Sequence, residues 1–183
     1  ADVMAIGPAG ENLVRFANWI NNDERAAGRG GTGAVAGSKK LKAIVVVGTH
    51  DKMPQPKDPE LWKEADRLAS ATINDPKNVT APKKGGLSLY GTNVLMNITN
   101  VMGALPTFNA QHTCIEGAEK ISGEYIREHR LIKDNTCHAC PVACKKMVEV
   151  HINGKTIRFE SYEYESAWAL GAHSGHTDTD WTG

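Results

Sequence analysis

Three cysteines fall between positions 137 and 144 in the run Cys137-His-Ala-Cys140-Pro-Val-Ala-Cys144. No other feature constrains the backbone of this chain as tightly. A C-x2-C-x3-C spacing lets one short turn aim three sulfurs at a common point, which suits an iron–sulfur cluster and is also open to tetrahedral zinc. Thiols this close cannot all pair with one another as disulfides. With Cys114 the chain has four cysteines in 183 residues, too few for a disulfide-stapled secreted domain and consistent with a reducing compartment. A plain buried cysteine cluster is the bland alternative, disfavoured because thiols at this density are redox liabilities. A zinc site completed by Cys114, His138 or His151 stays open beside the iron–sulfur reading.

Lysine plus arginine equals aspartate plus glutamate at 21 each, so no global charge draws the chain to nucleic acid. Apolar residues make up 40% of the chain, enough for a core. The longest apolar run, Ala43–Val47, has the length of a strand and falls far short of the roughly 20 residues of a membrane span. The N-terminus lacks the basic-then-apolar pattern of a signal peptide, and a cytoplasmic location is expected. The chain starts without Met and stops at Asp178-Thr-Asp-Trp-Thr-Gly183, which reads as an internal fragment of a longer protein.

The fold class expected is α+β. Strands are predicted over Val3–Ile6, Leu13–Ile20 and Lys42–Val47, the last buried on both faces, with a loop over Asn21–Gly33. Residues 1–48 thus read as the end of a β-rich domain, 49–57 as a proline-bearing linker and 58–183 as a mainly helical domain. Asp58-Pro59-Glu60 opens a helix with a capping side chain and proline at the first position. Asn74–Gly86 reads as a loop, Val94, Leu95, Ile98 and Val101 mark a second helix, and Ser122 starts a third. Asn153-Gly154, between Met147–Ile152 and Thr156–Phe159, is a strong hairpin signal, since both turn residues tolerate positive φ. Tyr162–Leu170 is predicted as a helix.

A second unusual segment runs Ala26-Ala-Gly-Arg29-Gly30-Gly31-Thr32-Gly33-Ala34-Val-Ala-Gly37-Ser38-Lys39-Lys40. Glycines at this density allow successive N–H groups to point into one concavity suited to phosphate oxygens. Arg29 can add a bidentate contact, and Ser38, Lys39 and Lys40 further donors. Gly31–Ala36 matches G-x-G-x-x-A, but no strand directly precedes it, and the Gly37-Ser38-Lys39 order breaks the Walker pattern. A flexible turn feeding the following strand is the ordinary alternative.

Together these segments resemble the tungsten-containing aldehyde ferredoxin oxidoreductase family over most of the chain. Ile6-Gly-Pro-Ala-Gly-Glu-Asn12 is similar to the family's IGPAGEN turn, and Ala27–Lys39 with Leu41-Lys-Ala-Ile44 to its AGRGG-x-GAV-x-GSK-x-LKAI stretch. Tyr90-Gly-Thr92, Gly103-Ala-Leu-Pro-Thr107, Cys137–Cys144 followed by Lys, and Glu163-Tyr-Glu165-Ser also match. The resemblance implies a β-rich domain carrying a tungsten bis-pterin cofactor, followed by helical domains. Arg29, Gly30, Gly31, Thr32, Gly33, Ala34, Ser38 and Lys39 would lie against the pterin phosphates and their bridging magnesium, with backbone near Gly33 and Ala34 closest. Cys137, Cys140 and Cys144 would hold three irons of a [4Fe–4S] cluster.

By the same resemblance Glu163 would stand near tungsten as a general base, with Glu165 beside it; by themselves such carboxylates are ordinarily a solvated helix start. His173 and His176 are candidates for proton relay, a position where histidines are usually surface residues. The implied reaction oxidises a small aldehyde to a carboxylic acid and passes electrons to ferredoxin or a ferredoxin-like subunit, in a homo- or hetero-oligomer. The fourth cluster cysteine, a second pterin segment and a further histidine would lie outside this chain, and Tyr162 stands where the family usually has proline. Two other readings compete. One is a benzoyl-coenzyme A reductase-type tungsten subunit, the other a non-catalytic zinc- or phosphate-binding module.

Overall fold

The computed structural model describes residues 1–22, 25–48, 54–137 and 140–177. They form two units, Ala1–Lys57 and Asp58–Gly183, mixed in helix and strand.

In the first unit β1 (Asp2–Ile6) lies between β2 (Trp19–Asn21) and β4 (Ala43–Val46), and β3 (Arg25–Ala27) extends the sheet beyond β2. All pairings are antiparallel, with Ile6 opposite Trp19 and Val3 opposite Val45. Proline at the first position starts a one-turn helix, α1 (Pro8–Glu11), where the sequence suggests only a turn. The expected strand over Leu13–Ile20 shrinks to β2, because Leu13 takes φ 58° and turns the chain. The expected loop Asn21–Gly33 contains β3, exposed along its length and so without an alternating pattern to read. The β4 strand is also not buried on both faces. It forms a sheet edge, and Ile44, Val45 and Val46 are exposed.

Ile6, Trp19 and Ala36 make the core of this unit, with Met4 against them. Ala36 comes from α2 (Thr32–Ser38), and the α1 and α2 backbones approach closely because glycine stands at the contacts. A Cβ at Gly37 would overlap the Gly10 carbonyl oxygen, and one at Gly33 would lie 2.6 Å from the Asn18 carbonyl oxygen.

The second unit begins with α3 (Pro59–Asn74), where Asp58 accepts from the N–H groups of Glu60 and Leu61 at 3.1 and 3.0 Å. Helices α4 (Gly86–Tyr90), α5 (Leu95–Val101) and α6 (Gly123–His129) follow, with a 3-10 turn at Gly91–Val94 joining the first two. Ser122 caps α6. Met96, Leu105, Ala118, Ile121, Ala167 and Ala172 form the core, with Tyr162, Tyr164 and Trp168 packed on it.

A three-stranded antiparallel sheet, β5 (Leu131–Asn135), β6 (Lys145–Ile152) and β7 (Lys155–Glu160), completes the unit. Asn153 and Gly154 take φ 51° and 72° and join β6 to β7 as expected. Beside this sheet lies an apolar cavity of about 340 Å³, lined by Val148, Ile157, Phe159, Ile121 and Leu170 among others. The helix expected over Tyr162–Leu170 begins at α7 (Tyr164–Ser166), with Glu163 extended as its cap residue, and widens into a π-turn over Ala167–Gly171.

The β5–β6 pairing, closed by Asn135 opposite Lys145, makes the cysteine run a hairpin connection. Two consecutive buried lysines clamp its base, facing opposite sides of β6 as strand neighbours must. Lys145 Nζ donates to Glu160 Oε2 at 3.1 Å. Lys146 Nζ donates to the Ser88 and Ala143 carbonyls at 2.7 and 2.8 Å and pairs with Asp134 at 3.0 Å.

Two outcomes test these contacts by calorimetric unfolding of the full-length protein. Gly37→Ala should destabilise by about 3 kcal/mol through overlap with Gly10, whereas Gly30→Ala, facing open space at φ +88°, should cost only about 1–2 kcal/mol of backbone strain. Lys146→Met should cost about 3 kcal/mol, since it leaves three carbonyls without their donor and Asp134 with Arg127 alone.

Candidate functional site

The cysteine hairpin loop is shaped by its own backbone. Cys140 N–H donates to the Cys137 carbonyl at 3.2 Å, and the Thr136 hydroxyl bonds the Cys137 and Cys140 carbonyls at 3.1 and 2.5 Å. Ala143 adopts φ 52°, with its carbonyl held by Lys146. The Cys144 carbonyl packs against Gly91, where a Cβ would come within 2.8 Å. His138 and Ala139 lie outside the described residues.

Burial, then the Glu163 carboxylate, then the thiols of Cys137 and Cys140 push the Cys144 thiol above its ordinary range. Four potential anions therefore feel one another here, an arrangement that suits a cation able to hold sulfur as thiolate. Among the described residues no three His, Cys, Asp or Glu side chains are arranged to grip a single metal ion as they stand.

Glu163 is half-buried and faces this loop across a narrow cleft lined by Gly91, Thr92, Asn93, Cys144, Lys146 and Tyr162 among others. Thr92 donates its hydroxyl to Glu163 Oε2 at 2.5 Å and accepts from the Tyr164 N–H at 2.9 Å. Asn93 Nδ2 donates to the Tyr162 carbonyl at 2.8 Å. The Tyr162 phenol is pushed up to about 12 by burial, against the opposing pull of Arg130, so it stays neutral.

The other sequence candidates in this unit diverge from that cleft's lining. Glu165 is exposed in the first turn of α7. His173 is half-buried, edge-on to Trp168 at 5.5 Å, and its Nδ1 is buried with no hydrogen-bond partner among the described residues. The left-handed turn Phe108–Ala110 docks there, Phe108 and Asn109 donating to the Ala172 and His173 carbonyls. His176 is exposed and edges the apolar cavity.

In the first unit the glycine-rich segment does not form the open concavity its composition suggests. Gly33 N–H donates to the Ala17 carbonyl at 3.0 Å and Ala34 N–H to Gly31 at 3.0 Å. The Thr32 and Ser38 hydroxyls donate to the Ala27 and Val35 carbonyls at 3.0 and 2.7 Å. Gly30 and Gly31 take φ 88° and 66°, while Gly33 and Gly37 serve packing. Ser38 and Lys39 end the helix that Thr32 begins, so the donors are spread along α2. Arg29 and Lys39 are exposed at its two ends.

Thr92, Asn93, Lys145 and Lys146 were not singled out by spacing or residue type. The available signal was a pair of lysines entering a strand, where alternation sends neighbouring side chains to opposite faces.

Known proteins align with this arrangement. The family model for the aldehyde ferredoxin oxidoreductase N-terminal domain matches residues 1–48, and that for domains 2 and 3 matches residues 69–182. Tungsten-containing aldehyde ferredoxin oxidoreductases of Thermococcus kodakarensis and Pyrococcus abyssi are 44% and 46% identical over 176 residues, 96% of this chain. The chain spans 28% of the length of each. A Pyrococcus furiosus aliphatic sulfonate oxidoreductase, WOR-like subunit, is 48% identical over 61 residues, 33% of this chain and 10% of its own. The solved active-site complex of benzoyl coenzyme A reductase with 1,5-dienoyl-CoA shares the fold at TM-score 0.54 and 22% identity, over 98% of this chain and 30% of that one. With both family models matched in order along it, the chain belongs to the aldehyde ferredoxin oxidoreductase family.

Proposed function

We propose that the whole protein containing this chain oxidises aldehydes to carboxylic acids. The observation that carries the reading is the placement of the Glu163 carboxylate beside Cys144, a proton acceptor next to a sulfur ligand. Family membership and the 44–46% identity to aldehyde enzymes support it.

An aldehyde and a water molecule together yield a carboxylic acid, two electrons and two protons. When bound, a tungsten bis-pterin centre would supply the two-electron chemistry and a [4Fe–4S] cluster the single-electron passage to ferredoxin or a ferredoxin-like subunit. Cys137, Cys140 and Cys144 would hold the cluster as thiolates. The exposed side chains of Arg29 and Lys39 would fit the negative charge of pterin phosphates. Gly33, Ala34, Thr32 and Ser38 would serve by close backbone approach, since their donors are committed. Gly30 and Gly31 would set the turn.

Glu163 would take a proton from water or the hydrated aldehyde, and His173 and Glu165, which lie off the cleft, would serve only further along the proton's way outward. No helix among the described residues is long and apolar enough to cross a membrane. A cytoplasmic setting is proposed from the thiols alone.

The benzoyl-coenzyme A reductase reading has the shared fold in its favour. The higher identity of the aldehyde relatives argues for the first.

Metal analysis of the anaerobically purified full-length protein should give iron and tungsten near about four to one. Cys140→Ser should lower iron per chain. Zinc alone, without iron–sulfur absorbance, would overturn the assignment. The same protein should reduce viologen with aldehydes, and benzoyl-coenzyme A should not draw electrons through it from a reduced low-potential donor. Turnover of benzoyl-coenzyme A without any aldehyde activity would transfer the assignment to the second reading.

A further inference from the structure

We propose that Thr92 is a positioning residue for the Glu163 carboxylate, an inference that rests on Glu163 accepting the substrate proton. A threonine hydroxyl has one proton to give and lone pairs to accept with. The Tyr164 backbone N–H can only donate, and it meets Thr92 Oγ1 at 2.9 Å. With a lone pair so engaged, the single hydroxyl proton goes to Glu163 Oε2 at 2.5 Å. An ionised carboxylate can only accept, and that sets the direction of the second bond.

Capping is not what holds the Glu163 side chain. Residue 163 is the cap of α7, where a side chain ordinarily turns back to satisfy the first N–H groups of its own helix. Glu163 makes no such capping bond. Thr92, 72 positions earlier in the chain, takes the Tyr164 N–H, the first of the helix, and so ties down the segment it donates to. The carboxylate is left aimed at the cleft that also holds Cys144.

Thr92 itself sits on braced backbone. Its neighbour Gly91 packs on the Cys144 carbonyl at a left-handed φ of 68°. On the other side the Asn93 amide ties down the Tyr162 carbonyl at 2.8 Å. Donor and acceptor are therefore held from both sides, and the torsion that would swing the carboxylate is restrained.

The test uses the full-length, metal-loaded enzyme with an aldehyde and viologen. Thr92→Val keeps the shape and removes the hydroxyl, so kcat should fall about 10- to 100-fold with KM and metal content nearly unchanged. Thr92→Ser should recover most of kcat, and Thr92→Ala should repeat the loss if the valine variant folds poorly. An infrared difference spectrum should show the carboxylate band that Glu163→Gln removes shifted in Thr92→Val and restored in Thr92→Ser. Adding Thr92→Val to Glu163→Gln should cost nothing more. A lowered melting point with unchanged kcat and carboxylate band, or losses that simply add, would overturn the positioning role while leaving the base assignment intact. Full kcat in Glu163→Gln would instead remove the base assignment itself.

Discussion

The site depends on a close backbone approach, that of Gly91 to the carbonyl of Cys144. Gly91 takes φ 68°, and any side chain there would bring a Cβ within 2.8 Å of that oxygen. Both conditions exclude every other residue type without strain. Because the contact joins the 3-10 turn after α4 to the end of the thiol loop, it places Thr92 and Asn93 over the Tyr162–Tyr164 strap. The proximity of Glu163 to Cys144 follows from that contact, and with it the carboxylate's part, second to burial, in lifting the Cys144 thiol.

Local signals in the sequence were reliable where the chemistry is local. Asp58 before Pro59, Ser122 before α6, and Asn153-Gly154 between two strands each act within a few residues, and each turns up where expected. Elements whose stability comes from a distant partner were harder to read. Strand β5 has a mixed polar sequence and exists because β6 pairs with it. Strand β3 is exposed throughout and exists because of β2. Strand β4 misled in the other direction, since a continuous aliphatic run describes a buried strand equally well as an edge strand with three bare side chains.

Site residues divide the same way. The cysteines were visible by spacing and Glu163 by family resemblance. Glycine counting pointed at one cradle, whereas the structure uses Gly30 and Gly31 for positive φ and Gly33 and Gly37 for helix-to-turn packing. Composition reports that glycine is needed, not which of its two properties is used. Thr92 and Asn93 carry no motif of their own chemistry, because what they do depends on a segment about seventy positions away.

The paired lysines at the foot of the thiol loop have a consequence for the order in which the chain assembles. Each ammonium gives up its water only when its oxygens are present, and those lie 15 residues later on β7 for Lys145 and 58 residues earlier on α4 for Lys146. Lys145 waits for Glu160 to join the sheet, and Lys146 for Ser88 to arrive on α4. The loop's foot therefore sets late, after the distant pairings have closed. Until then the thiols between the two strands lack a fixed base and stay open to oxidation.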